Sequence, residues 1–221
     1  MDLSGELLST GLVGTAWAIH VLALLAALRW LPWRRLAHGL HLHLLGGTVV
    51  CLMVLWSLRT EVHAGLEFHL LGMTTTTLML GWSTAVVAGS LALVGLALAA
   101  PADWGGFPVT ALLTVVLPAT LTQIMLVLIR SALPKHFFVY VFLNAFLTAG
   151  IVALAAGYAA AAIMIVDDVQ DLHDLRQSLL PFFPLMFFPE AFINGFVISV
   201  MVGLRPEWVA SFDDDEYLRD R

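Results

Sequence analysis

The chain has 221 residues, 60% of them hydrophobic and only 12% charged, against about a quarter charged in a typical soluble domain. Its formal charge of −6, drawn mainly from an acidic loop and an acidic tail, excludes the basic face that nucleic-acid binding requires. A single cysteine, Cys51, lies within an apolar run, which excludes both a disulfide framework and a thiolate metal cluster.

Apolar stretches of about 20 residues recur almost end to end, the pattern of membrane-spanning helices. The opening "MDLSGELLST" carries no basic residue, so the first apolar run is expected to be a retained helix and not a cleaved signal. Seven segments are predicted, near residues 10–28, 36–58, 68–82, 84–100, 108–130, 136–165 and 179–204. The fold class is an all-α polytopic helical membrane protein, one transmembrane domain over 1–212 with a short acidic cytoplasmic tail over 213–221. The third segment is short and is followed by "GWST", so a partial or bent span is expected there. Lipid tolerates broken backbone only where protein or a cavity covers it, and such a break therefore points to a site.

Arg29, Arg34, Arg35, Arg130, Lys135, Arg205, Arg219 and Arg221 all fall on one side of a seven-span chain, with Arg59 and Arg176 on the other. The positive-inside rule then places the N-terminus outside and the C-terminus in the cytoplasm of a bacterial inner membrane. The acidic stretch "DDVQDLHD" (167–174) faces out on this reading.

One phrase occurs twice, "HLLGGTVVCLMVLWS" at 43–57 and "HLLGMTTTTLMLGWS" at 69–83. Its glycines and threonines suit close helix packing, so the first copy is read as a packing module. The eight histidines differ among themselves. His38, His41, His43 and His136 stand near Arg34, Arg35 or Lys135, where interfacial imidazoles are ordinary. His20 falls mid-span and is read as a neutral, hydrogen-bonded core histidine in preference to a ligand. The outer loop "RTEVHAGLEFH" (59–69) gathers Glu61, His63, Glu67 and His69 at the mouth of the short span. Imidazole with carboxylate suits a transition metal, though a solvated polar loop fits the spacing equally well.

Three blocks in order, "HLLGMTTTTLMLGWSTAVVAG" (69–89), "PKHFFVYVFLNAFLTAG" (134–150) and "FFPEAFINGFVISVMVGLRPEWVASF" (187–212), resemble the CbiM/NikM family. Its members are substrate-binding membrane subunits of energy-coupling-factor cobalt and nickel transporters. The resemblance implies a transition-metal ion as cargo, nickel or cobalt first and copper or zinc next, with no bound organic cofactor. It also implies partners: the lipid bilayer, a coupling transmembrane subunit and cytoplasmic ATPases. No G-x-x-x-x-G-K-[ST] loop is present and Lys135 is the sole lysine, so the chain is read as a transporter subunit and not an enzyme. The family captures its metal through the N-terminal amine, a histidine in second place and the histidine of the "HLLG" block. Only the last carries over, as His69, with His63 and Glu67 as helpers; Asp2 stands where the family has histidine.

The resemblance further favours a structural role for Glu190 and Asn194, pairing with a neighbouring hydroxyl or with Asn144, over lining a pathway. The missing second-place histidine supports an alternative, a membrane scaffold that keeps the fold without metal transport. A haem-binding redox protein, with His20 facing His43, is the third reading.

Overall fold

The computed structural model describes residues 2–37, 39–63, 66–99, 103–213 and 217, without the side chains of Asp2, Glu61, Val62, His63, Leu66, Ser178 and Met186. Helix α1 (Thr10–Arg29) and helix α2 (Gly39–Ser57) both pack against a later helix, Trp82–Ala99. A short helix α3 (Met73–Leu80) follows, then α4 (Trp82–Ala99), α5 (Phe107–Ala132), α6 (Phe137–Val166) and, after a seven-residue helix at Leu172–Ser178, α7 (Phe183–Leu204). Six helical stretches among the described residues are long and apolar enough to cross a membrane. This is an all-α, multi-pass membrane protein.

Contacts fix two ends for the bundle. At one, Trp30 after α1 meets Trp82 at the start of α4, ring centroids 6.0 Å apart, and Ser83 Oγ donates to the Trp30 carbonyl. Arg130 on α5 donates to the Ser211 carbonyl and, at 3.1 Å, to the Tyr217 hydroxyl. At the other end, Asp167 after α6 accepts from both the backbone N–H and the hydroxyl of Ser9, and Asp103 accepts from the Gly5 N–H. A three-stranded antiparallel sheet, absent from the sequence expectation, also sits at this second end: β1 (Asp2–Leu3), β3 (Leu66–Phe68) and β2 (Thr60–His63), in that order. The two ends are hereafter the arginine end and the sheet end.

The third passage is where the expected helix differs. Residues 69–72 are neither helix nor strand, and only then does α3 begin, eight residues long, or about 12 Å. The cause is at Gly72, whose φ of +66° belongs to the left-handed region that glycine reaches without a Cβ penalty. Both ends of α3 are closed by residues far away in sequence. Glu190 of α7 accepts from the N–H groups of Leu71 and Gly72, each at 2.8 Å, and Asn194 Oδ1 accepts from Thr75 N–H at 2.9 Å. At the other end the N–H groups of Ala210 and Ser211 donate to the carbonyls of Met79 and Leu78. A helix leaves four donors and four acceptors unmet, and inside a bilayer no water can meet them.

Other irregularities have local causes. Pro118 in α5 cannot donate to residue 114, and the preceding residues Leu112–Val116 widen to π-helical turns that relieve the clash. Helices α6 and α7 pack ring into glycine reciprocally. A Cβ on Gly150 would stand 2.2 Å from the Phe187 ring, and one on Gly195 would stand 2.0 Å from the Phe146 ring. Of the tail expected to be separate, 213–221, the described part is Asp213 and Tyr217, and Tyr217 is buried against Tyr140 and Phe212.

Removing the carboxylate in Glu190→Ala leaves two buried N–H groups unpaired, and we expect a loss of about 2–5 kcal/mol of stability. Glu190→Gln, which keeps one acceptor, should lose less. Thermal unfolding of the purified protein in detergent checks both. Gly195→Ala, forced against the Phe146 ring, is expected to cost about 1–3 kcal/mol in the same assay.

Candidate metal-binding site

The irregular residues 69–72 bring one imidazole into the bundle at the sheet end. His69 is 7% exposed and its ring lies 5.8 Å from that of the buried Trp56 of α2. Its Nδ1 lies 3.0 Å from the Leu70 carbonyl. Only an N–H can serve that contact, so Nδ1 carries a proton and in the neutral ring Nε2 carries the lone pair, the tautomer a ligating imidazole needs. Trp56 also donates from Nε1 to the Leu71 carbonyl at 3.0 Å. The broken segment is thereby held from both sides, its carbonyl by α2 and its N–H groups by α7.

The sheet carries the remaining candidates. Glu67 lies on β3, half-exposed, with its carboxylate 3.0 Å from the Arg59 guanidinium. Phe68 turns the other way into the core, as strand alternation requires. The backbone of His63 pairs with Leu66 across β2 and β3; its side chain lies outside the described residues. No three His, Cys, Asp or Glu side chains converge among the described residues. The His69 ring faces Trp56 while the Glu67 carboxylate faces Arg59.

The register of the first strand was not anticipated from sequence. Asp2 pairs with Glu67 and Leu3 with Leu66, so the start of the chain lies two residues from His69. Glu61 pairs with Glu67 from the other side, putting three acidic residues at one level of the sheet. Gly105 and Gly106 make this docking possible, since a Cβ on Gly106 would stand 2.1 Å from the Leu3 carbonyl oxygen.

Residues 3–208 match the sequence model of the CbiM family, described as the cobalt uptake substrate-specific transmembrane region. The chain belongs to this family. A solved crystal structure described as a truncated transition metal transporter has the same fold, with a TM-score of 0.76 over 92% of this chain and 99% of that one, at 15% identity. No curated protein sequence matches the chain. Family and fold make it a membrane component of metal uptake.

Other sequence-level candidates resolve differently in this family member. Glu190 and Asn194 bond to each other at 2.8 Å and to the backbone at the start of α3, and the hydroxyl that reaches them, from Thr75, donates to the Asn194 carbonyl at 3.4 Å and not to the Glu190 carboxylate. His136 caps the start of α6, its Nδ1 accepting from Phe138 N–H. His43 is exposed and bonds to the Gly39 carbonyl, whereas His20 is buried against Phe107 with its Nδ1 unpartnered among the described residues. These two rings do not face each other, so no haem-ligating pair forms from them. Of the acidic loop, Asp167 serves to cap Ser9. Trp56→Phe should cost about 1–2 kcal/mol by releasing the Leu71 carbonyl inside the bundle, measured by chemical denaturation in detergent.

Proposed function

We propose that the chain is the substrate-capturing membrane subunit of an energy-coupling-factor-type transporter, taking up a transition-metal ion of the cobalt or nickel class. The observation that supports this is the register of β1, which pairs the second residue with Glu67, two residues before the buried His69. His69 Nε2 would be the first ligand, the chain's N-terminal segment would supply others, and Glu67 with His63 would complete or adjust the set. The acidic level formed by Asp2, Glu67 and Glu61 favours a cation at this end.

The arginine end would lie in the cytoplasm, since it collects Arg29, Arg34, Arg35, Arg130, Lys135 and Arg205. The sheet end then faces outward and receives the ion. A coupling subunit has a place to dock: Gly46 and Gly47, in the first copy of the repeated phrase, have nothing within 4 Å of a built Cβ, and α1 and α2 are the least buried helices. ATP chemistry would belong to separate cytoplasmic subunits. A scaffold without transport is the second reading, and Asp2 in place of histidine is what favours it, because it removes one imidazole from a site that nickel or copper would fill with nitrogen donors.

Bound metal in the purified full-length protein, measured with cobalt, nickel, copper and zinc in turn, decides between them. We expect wild type to hold metal, His69→Ala to lose about tenfold or more in affinity, and Glu67→Gln to lose less. Asp2→His should raise nickel affinity by about tenfold, by restoring a nitrogen donor. Uptake into vesicles with the coupling ATPases present should fall in parallel. Wild type that binds none of the four metals, with uptake unchanged by His69→Ala, would establish the scaffold reading instead.

A further inference from the structure

A cavity of about 140 Å³ opens at the arginine end, remote from His69 and lined by Arg35, His41, Leu44, Thr84, Glu207 and Trp208 among others. Two of its walls carry polar atoms with nothing to bond. Thr84 is 3% exposed, and its Oγ1 and the Nδ1 of His41 are both buried without a hydrogen-bond partner among the described residues. Thr74, Thr76 and Ser211 show how buried hydroxyls are satisfied in this bundle, by Thr122, the Gly72 carbonyl and the Leu78 carbonyl, whereas Thr77 and Ser90 share the unmet state of Thr84 but line no part of this cavity. An unmet buried polar atom is costly and calls for an explanation.

The chemistry around this pair selects an anion. A threonine, a histidine and the exposed Arg35 are three residues able to donate hydrogen bonds that line one cavity. The Glu207 carboxylate is already held by Arg205, outside the cavity, at 3.4 Å. A metal would find a single imidazole and a carboxylate engaged elsewhere. The level matters too: Trp30 and Trp33, 68% and 62% exposed, flank this end of the bundle, as tryptophans do at the depth of lipid headgroups. Basic pockets between helices at that depth suit lipid phosphates, and Leu44 gives the cavity an apolar wall.

We infer that this cavity binds the headgroup phosphate of an anionic phospholipid, with Thr84 and His41 donating to it from inside and Arg35 from the rim. The inference is independent of metal capture at the sheet end.

The test uses the full chain in nanodiscs of phosphatidylglycerol or phosphatidylcholine, reading retained lipid by native mass spectrometry. Wild type should retain one phosphatidylglycerol in preference to phosphatidylcholine by about fivefold or more. Thr84→Val and Arg35→Gln should each abolish most of that preference. Thr84→Ser, which keeps the hydroxyl, and Arg34→Gln, whose side chain does not line the cavity, should preserve it. Equal retention of the two lipids overturns the inference. So does a preference that survives Thr84→Val, or one that falls as far in Arg34→Gln as in Arg35→Gln, since either makes it a diffuse property of the basic rim. Inorganic phosphate that stabilises the protein in phosphatidylcholine as strongly as phosphatidylglycerol does would move the ligand to the aqueous phase and overturn the lipid assignment.

Discussion

Everything at the sheet end depends on how the backbone of residues 69–75 is satisfied without water. A continuous helix would have bonded these N–H groups to its own preceding turn and carried His69 out of its place beside Trp56. Instead the carboxylate of Glu190 and the amide of Asn194, one turn apart on α7, take the N–H groups of Leu71, Gly72 and Thr75. A carboxylate facing the positive end of α3 is also electrostatically favoured. The break is therefore bonded across to α7 through three of its N–H groups, and it leaves an irregular stretch inside the bundle where an imidazole can be presented.

The repeated phrase shows what such bonding does to one sequence pattern. In its first copy every residue is helical, Thr48 bonds back to the Leu44 carbonyl, and His43 and the glycines point away from the rest of the chain. In its second copy the helix starts only at Met73, Thr74 reaches across to Thr122, and His69 is buried. The tryptophans of both copies donate across to another element, Trp56 to Leu71 and Trp82 to Thr120. The same letters thus give a bundle exterior once and a broken interior once, and the difference lies in α7, more than a hundred residues on.

That is why the fold was legible in the sequence and the site only in part. Long apolar runs identify spanning helices from composition alone, and the shortness of segment 68–82 with "GWST" after it pointed to a partial or bent span, though the break lies before the helix, at 69–72. What supports the break did not show. Glu190 reads locally as a buried acid in an apolar helix, and nothing in its neighbours names the N–H groups of Leu71 and Gly72 as its partners. The sheet was hidden for a similar reason: a two-residue strand at Asp2–Leu3 is too short for any periodicity, and its pairing with Leu66–Phe68 depends on the Gly105–Gly106 turn beneath it. Asp103 and Asp167 likewise look like ordinary loop acids until Gly5 and Ser9 are seen against them.

The closure of α3 at its arginine end has a consequence for how the protein is made. Eight residues cannot partition into a bilayer as an independent span, and the groups that complete this helix are Glu190, Asn194, Ala210 and Ser211. Those groups are synthesised more than a hundred residues after α3. The bonds that close the third passage can therefore form only once α7 and the residues after it have been made.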